Sequence, residues 1–548
     1  MNVLQIHPND NVWIALKDLL PGEAVTLDGA TIVSKYHTPQ KHKFAITDIN
    51  QGEPIIMYGI MVGKAVAPIK CGEVITTANV RHAATTPELR YRGLKGQPSD
   101  TSAFTKLTFD GYHRTDGKVG TANYWLVFPL VFCENHNVKL VRELLEEKLG
   151  YHKSTPFTLN VDKLISGFKK GYTVKQLLNE NIYEEAIDPR ENPLFPNVSG
   201  IKFLTHEGGC GGTRSDSEAL CALMAGYVNN ANVAGATVLS LGCQNAQVDM
   251  FKKALYKINP SFDKPLYIIG QQETGNLPNF IAQAVQSSFV GMVQANDNQR
   301  KPAPLSKLII GLECGGSDGF SGISANPVVG HCSDLLIGLG GTTVLAEFPE
   351  LHGVEQNLID RCVSLTVASR FMELMERYAE AAKKAGTGFE MNPSPGNIKD
   401  GLITDAMKSA GAARKGGTSP ISDVLDYTEQ VTVPGLNLLC TPGNDVESTT
   451  ALAASGCTMI LFTTGLGTPT GNPVAPVVKI SSNTKLAIKM KDTIDFDAGT
   501  IFSAGQTIQE RGADLLHFVV SVASGKETPQ AVRLHQDDFI PWKRDISL

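Results

Sequence analysis

The chain has 548 residues, 42% hydrophobic and 19% charged, with 49 Lys and Arg against 55 Asp and Glu for a net charge of −6. That length exceeds one ordinary core and implies about three domains. The slightly acidic balance excludes a general attraction to nucleic acid or to acidic lipid, so any anionic ligand must be met by a local group of Lys and Arg. Ten cysteines without a CxxC pair do not read as a secreted disulfide framework, and reduced thiols are expected. The opening MNVLQIHPNDNVW reaches His7, Asn9 and Asp10 too early for a signal-peptide core, and no apolar run approaches the ~20 residues of a membrane span. A cytoplasmic protein with no membrane or nucleic-acid partner is expected.

Residues 1–82 set short alternating runs (VWIAL, AVTL, TIVSKY, PIIMYG) between the turn pairs Pro21-Gly22, Asp28-Gly29 and Gln51-Gly52, the pattern of a small all-β module. Residues 83–107 are polar and aperiodic, predicting a flexible linker that includes Gly96 and Pro98. From about 108 apolar strands alternate with helical stretches, as in βαβ construction. Strands are expected at 124–132, 201–205, 236–241 and 266–269, and after a polar connection at 308–312, 343–346, 436–439, 459–463 and 477–480. This gives two α/β domains, 108–298 and 299–548. A helix is predicted over 354–384, with Gly386 as its cap.

Three glycine-rich loops follow apolar runs and each carries a cysteine: FLTHEGGCGG with Cys210, TVLSLGCQN with Cys243, and LIIGLECGGSDGFSG with Cys314. Strand ends of this kind deliver side chains to the carboxyl edge of a parallel sheet, where ligands bind, and thiolates there can hold iron. In the first loop Ser215 and Glu218 fit a capping box, so the loop would lead into a helix N-terminus that attracts anions. Arg214 adds charge there, and His206 offers a base or a ligand. Glu347, Glu350 and His352 in TTVLAEFPELHGVEQ supply carboxylate and imidazole. Lys415, Thr418 and Ser419 in ARKGGTSP can meet a carboxylate, but the P-loop pattern is absent and FTTGLGTPTGNP fails the dinucleotide fingerprint.

The segments HKFAITDI, GYHRTDGKVGTANYW, THEGGCGG, LGCQNAQ, LECGGSDGFSGISANP, AEFPELHGVEQ, KGGTSP and TPGNDVEST run in order over nearly the whole chain. Together they closely resemble the altronate and galactarate dehydratases, sugar-acid hydro-lyases that require iron and reducing conditions. The resemblance implies a β-clip module of the SAF type at the N-terminus, a middle domain used in homodimerisation, and a Rossmann-like C-terminal domain with a metal site. The ion expected is Fe2+, ahead of Mn2+ or another divalent metal and ahead of an iron–sulfur cluster. Its ligands are sought among Cys210, Cys243, Cys314, Glu347, Glu350 and His352. His206 is the preferred base, with His42 and Lys43 closing over the site from the tethered module. Arg114, Arg214, Ser317, Asp318, Lys415, Thr418 and Ser419 are the substrate contacts sought. Lys118 and Ala122 stand where relatives commonly have Arg, and Gln244 where they commonly have Glu. Dehydration of D-altronate is favoured over galactarate, giving a 2-keto-3-deoxy sugar acid. A sugar-acid-binding protein without activity is the alternative of a different class.

Overall fold

Runs such as VWIA and KFA are too short for helices, and they are separated by Gly22, Gly29 and Gly52 at φ of 82°, 83° and 86°, which L side chains rarely adopt. In the computed structural model, which describes residues 2–93, 99–151, 157–185 and 193–547, they fold into small antiparallel sheets. Val12–Ala15 pairs with Lys43–Ala45, and Pro54–Met57 turns back on Ile60–Ala65. This SAF module is not a free body. Its Ile14, Met57, Val62 and Val80 share one core with Phe320, Ile323, Ile403 and Met407 of the C-terminal part. The chain that follows lies along the helix Glu355–Arg361, where Arg90 forks onto Asp360 at 2.8 and 3.0 Å and the Glu88 N–H donates to Gln356 at 2.7 Å. The predicted flexible linker is thus held down over its first residues; Gly96 and Pro98 lie outside the described residues.

The middle part is built on a parallel sheet of β1 (Tyr124–Pro129), β2 (Gly200–Phe203), β3 (Val233–Ser240) and β4 (Leu266–Gly270) in the order β2-β1-β3-β4. Every residue of β1 and β3 is buried, as expected of parallel strands covered on both faces. The helix α1 (Arg214–Asn229) follows β2 and its loop.

The C-terminal part alternates β5 (Ile309–Cys314), α2 (Ala325–Gly338), β6 (Thr342–Leu345), α3 (Leu365–Lys384), α4 (Asp405–Ala412), β7 (Ile421–Leu425), β8 (Gly435–Leu439), α5 (Asp445–Ala454), β9 (Met459–Thr464), β10 (Val477–Ser481) and β11 (Phe496–Asp497). The seven strands are all parallel, in the order β7-β8-β6-β5-β9-β10-β11. The chain winds outward from β5 on one side and returns to β9 on the other, so the sheet's topological switch point lies at the carboxyl ends of β5 and β9. The helix predicted over 354–384 is two helices, because Cys362 is extended and bridges Ile421 on edge strand β7; Gly386, at φ 79°, does follow the end of α3. Two strands of this sheet, β7 and β11, escaped the sequence reading: β7 carries Ser422 and Asp423, and β11 is two residues long. Helices α1 and α5 cross where Gly226 meets the Ala454 carbonyl, too close for any Cβ, and Tyr227, Leu452 and Phe462 join the two α/β parts in one core. Among the described residues no helix is long and apolar enough to cross a membrane.

Candidate active site

Strand β5 ends in Glu313-Cys314, and the backbone turns at once through Gly315, where a Cβ would overlap the Asp445 carboxylate and the Phe462 ring. Next to it, β6 ends and Glu347 takes up a left-handed backbone at φ 68° and ψ 63°. That conformation costs a non-glycine residue about 1–2 kcal/mol. Burial of the next residue, Phe348, edge-on to Phe371 at 5.4 Å, is worth about 1.5–3 kcal/mol and offsets it. The turn is also tied down by the Glu347 N–H, which donates to the Thr441 hydroxyl at 2.8 Å.

The result is a fully buried charged cluster. Lys415 Nζ lies 2.7 Å from Cys314 Sγ and 2.9 Å from Glu347 Oε2, while the Cys314 thiol donates to Glu350 Oε2 at 3.0 Å. Lys408, on α4, reaches Glu350 Oε1 at 2.6 Å and Asn392 Oδ1 at 2.6 Å. Burial pushes the Cys314 thiol well up, with Glu347 and Glu350 adding to it. Burial also opposes the charge on Glu350, but Lys408 and Lys415 outweigh it and hold this carboxyl below the usual range.

Glu347 belongs to a second group as well. Its ligand atoms converge with Cys314 and Glu350 on one side and with Glu313 and Asp445 on the other, each set within 4.8 Å. Glu313, Phe462 and Lys479 occupy matched register positions on β5, β9 and β10, so they stand in a row on one face of the sheet, below the N-terminus of α5. Ser448 of α5 donates to Glu313 Oε2 at 2.6 Å. Lys479 Nζ is 3.5 Å from the centre of the Phe462 ring and has no hydrogen-bond partner. Burial drives its pKa down to about 7, and burial with Glu347 and Glu350 drives Asp445 up to about 7. A buried lysine and a half-buried aspartate that both titrate near neutrality are the expected marks of proton-transfer chemistry.

The oxygens Glu313 Oε1 and Glu347 Oε1 are buried without a hydrogen-bond partner. Such atoms are costly unless a proton or a cation meets them, and burial with the facing Glu347 carboxylate pushes the Glu313 carboxyl well up. Carboxylates with one thiol suit a divalent ion such as iron, so this donor set fits a metal. A cavity of about 690 Å³ reaches the wall of the cluster at Pro349, Asn392 and Gly443.

The SAF module meets the C-terminal part at Asp318, Asp400 and Gly401. Lys41 Nζ lies 2.9 Å from Asp318 Oδ2 and 3.3 Å from Asp400, and Lys43 Nζ donates to the Gly401 carbonyl at 2.6 Å. Gly319 and Gly401 are required there, since a Cβ on either would stand within 2.6 Å of the Lys41 carbonyl oxygen. Burial lowers the Lys43 pKa to about 7 and pulls that of His42 down; the His42 ring sits 3.3 Å from the Gln40 carbonyl.

Of the residues singled out in the sequence, Cys314, Glu347, Glu350 and Lys415 come together. Others have different employment. Both ring nitrogens of His206 are bonded to backbone, Nε2 to the Pro129 carbonyl at 2.8 Å and Nδ1 to the Gly208 N–H at 3.1 Å. Cys210 and Cys243 are exposed on loops that meet through Gly209, and among the described residues Cys314 is the one cysteine in any convergent ligand group, so the three thiols are not brought together. His352 faces Asp405 and His82 instead. Thr418 and Ser419 give their hydroxyls to Asp334 at 2.9 and 2.5 Å, and Arg114 is spent on the Ala231 carbonyl and Asn123. Asp318 is saturated by Lys41, Ser321, Ser482 and Asn483, and the Ser317 carbonyl accepts from Asn397 at 2.7 Å. Arg214 is exposed on the first turn of α1, whose N-cap is Thr213 and not Ser215. Sequence reading missed Glu313, Lys408, Asp445 and Lys479. Two of these carried a signal: Glu313 and Lys479 sit inside the short, largely apolar and largely buried strands IIGLEC and VVKIS.

Three stretches match family descriptions: residues 1–83 "Altronate/galactarate dehydratase SAF domain", 111–296 "D-galactarate dehydratase/Altronate hydrolase, second domain", and 305–547 "D-galactarate/Altronate dehydratase, C-terminal". The chain is 34% identical over 533 residues to the altronate dehydratase of Escherichia coli (strain K12), with 96% of each chain covered. It is 32% identical to the altronate dehydratase of Bacillus subtilis (strain 168), covering 98% of this chain and 97% of the relative. The galactarate dehydratase (L-threo-forming) of Escherichia coli (strain K12) is 32% identical, covering 96% and 93%.

Proposed function

The chain belongs to the altronate/galactarate dehydratase family, and from that premise we propose that it is a hydro-lyase that removes water from a sugar acid, with D-altronate as substrate and 2-keto-3-deoxy-D-gluconate as product. The observation that carries this reading is the convergence of Cys314, Glu347 and Glu350 with Glu313 and Asp445 around orphaned carboxylate oxygens at the switch point of the C-terminal sheet.

The reaction requires removal of the proton alpha to a carboxylate, stabilisation of the resulting enediolate and protonation of the departing beta-hydroxyl. Cys314, Glu347 and Glu350 would hold the ion, with Glu313 and Asp445 beside it. When bound, a ferrous ion supplies Lewis acidity to the substrate's carboxylate and hydroxyl oxygens. Lys479, whose pKa burial lowers to about 7, takes the alpha proton. Asp445, at the N-terminus of α5 and converging with Glu313 and Glu347, is the group placed to deliver a proton to the leaving hydroxyl. Lys408 and Lys415 counter the negative charge that builds on the substrate. The SAF module, through Lys41 and Lys43, excludes water from the side facing Asp318.

Assay of D-altronate and galactarate with ferrous iron under reducing conditions tests the reading. Release of the keto acid from D-altronate at the higher kcat/KM supports it, and preference for galactarate reassigns the substrate. No turnover across aldonates and aldarates would leave a sugar-acid-binding protein.

A further inference from the structure

Away from the reaction centre, three segments meet where the SAF module joins the C-terminal domain. His82 follows the module's last strand, Val80–Arg81; His352 follows the turn that carries Glu347 and Glu350; and Asp405 opens α4, the helix that also bears Lys408. His82 Nδ1 contacts Asp405 Oδ1, and His352 Nε2 faces Asp405 Oδ2 at 3.8 Å. The two imidazoles stack with ring centres 5.2 Å apart. One nitrogen of each and a carboxylate oxygen lie within 4.8 Å of one another.

Three features distinguish this group from an ordinary ion pair. The Asp405 carboxylate is 98–99% buried, yet neither oxygen has a hydrogen bond of acceptable geometry, and neither has His82 Nδ1. An aspartate so placed carries a desolvation cost that nothing in the protein repays in full. His352 is oriented from behind, its Nδ1 bonded to Glu355 Oε1 at 2.9 Å, which leaves Nε2 directed at Asp405. A carboxylate behind a histidine is the usual outer support of a metal-ligating imidazole. Finally, the two histidine side chains are about one quarter and one third exposed, so one side of the group is open to water.

We propose that His82, His352 and Asp405 form a second metal site, for a divalent ion of the zinc class with water in the remaining position. Two imidazoles and one carboxylate, with ligand bonds of ~2.0–2.2 Å, are a standard donor set for such an ion. The site ties the C-terminal end of the SAF module to the Glu347–Glu350 turn and to the helix of Lys408, and it contains no sulfur, unlike the reaction centre.

The full chain is stripped of metal, reloaded with Co2+ under reducing conditions, desalted and analysed for metal content and visible absorption, beside His82→Gln, His352→Gln and Glu347→Gln. The wild type is expected to retain two equivalents. Each histidine variant should lose the equivalent that shows d–d bands without thiolate charge transfer, and Glu347→Gln should lose the one with it. Circular dichroism checks that the histidine variants remain folded. Retention of a single equivalent by the wild type, or unchanged sulfur-free bands in both histidine variants, overturns the proposal and leaves the reaction centre untouched.

Discussion

Two strand-end loops in this molecule look alike on paper and differ in every physical respect that matters. Each follows a parallel strand, is rich in glycine and carries a cysteine. The loop after β2 leaves Cys210 in water and bonds both nitrogens of His206 to backbone, while Thr213 and Ser215 at its end give their hydroxyls to Asp545 of the C-terminal segment. The turn after β5 buries Cys314 among two carboxylates and a lysine and leaves carboxylate oxygens without partners. A motif places residues; burial and unsatisfied charge decide whether they are poised for chemistry.

The contrast breaks most sharply at Lys479. Lys479→Met removes the proposed base, and kcat should fall by about 10²- to 10⁴-fold while the fold persists. Wild-type turnover in that variant would move the base elsewhere. Lys415→Met is expected to act on stability instead, because Glu347 would be left buried and unpaired; a loss of about 3–5 kcal/mol should appear in denaturant unfolding of the metal-free chain.

The pH dependence of the metal-free chain sharpens the same point. The folded pKa of Asp445 is raised to about 7, so its contribution to stability is present in full below the usual carboxylate range and is lost as pH rises towards 7. The folded pKa of Lys479 is lowered to about 7, so its contribution is present above the usual lysine value and is lost as pH falls towards 7. These two groups therefore favour folding least near neutrality. Substituting both, Asp445→Asn with Lys479→Met, should raise the melting temperature near pH 7 and change it less at pH 5 or pH 9. A uniform shift at every pH would contradict the assignment.

The smallest effects belong to the other loop. His206→Asn should cost about 1–3 kcal/mol of stability through lost backbone hydrogen bonds and less than tenfold in kcat, as read by unfolding and by steady-state rates. Cys210→Ser and Cys243→Ser should leave metal content unchanged.

Much of this architecture was legible in the sequence because its strands are buried on both faces and read as unbroken apolar runs, as in VAGATVLS and MILFTT. In the C-terminal sheet the strands that escaped are a polar edge strand and a pair of residues, and outside it the antiparallel strands Thr108–His113, Val119–Gly120, Phe157–Leu159, Tyr183–Glu185 and Arg300–Pro304 escaped as well, being short or polar and leaving no period to read. In the site, Cys314, Glu347, Glu350 and Lys415 were found because each sits at a strand end or in a glycine-rich turn. Lys408 was hidden because a lysine on a short helix looks solvated, and only tertiary packing aims it at Glu350. Thr418 and Ser419 were misread because nothing local shows that Asp334, some 84 residues earlier, takes their hydroxyls. Lys479 should have stood out, since an unpaired cation inside VVKIS contradicts the burial of everything around it.

The central claim is that the ion of this enzyme sits at the end of β5 and not between the cysteine loops of the middle domain. Iron X-ray absorption of the anaerobically loaded chain, compared with Cys314→Ser and Cys210→Ser, tests it directly. The account predicts ferrous iron without inorganic sulfide, a sulfur scatterer that vanishes in Cys314→Ser, and an unchanged spectrum in Cys210→Ser. A sulfur shell that survives Cys314→Ser but disappears with Cys210 would contradict it.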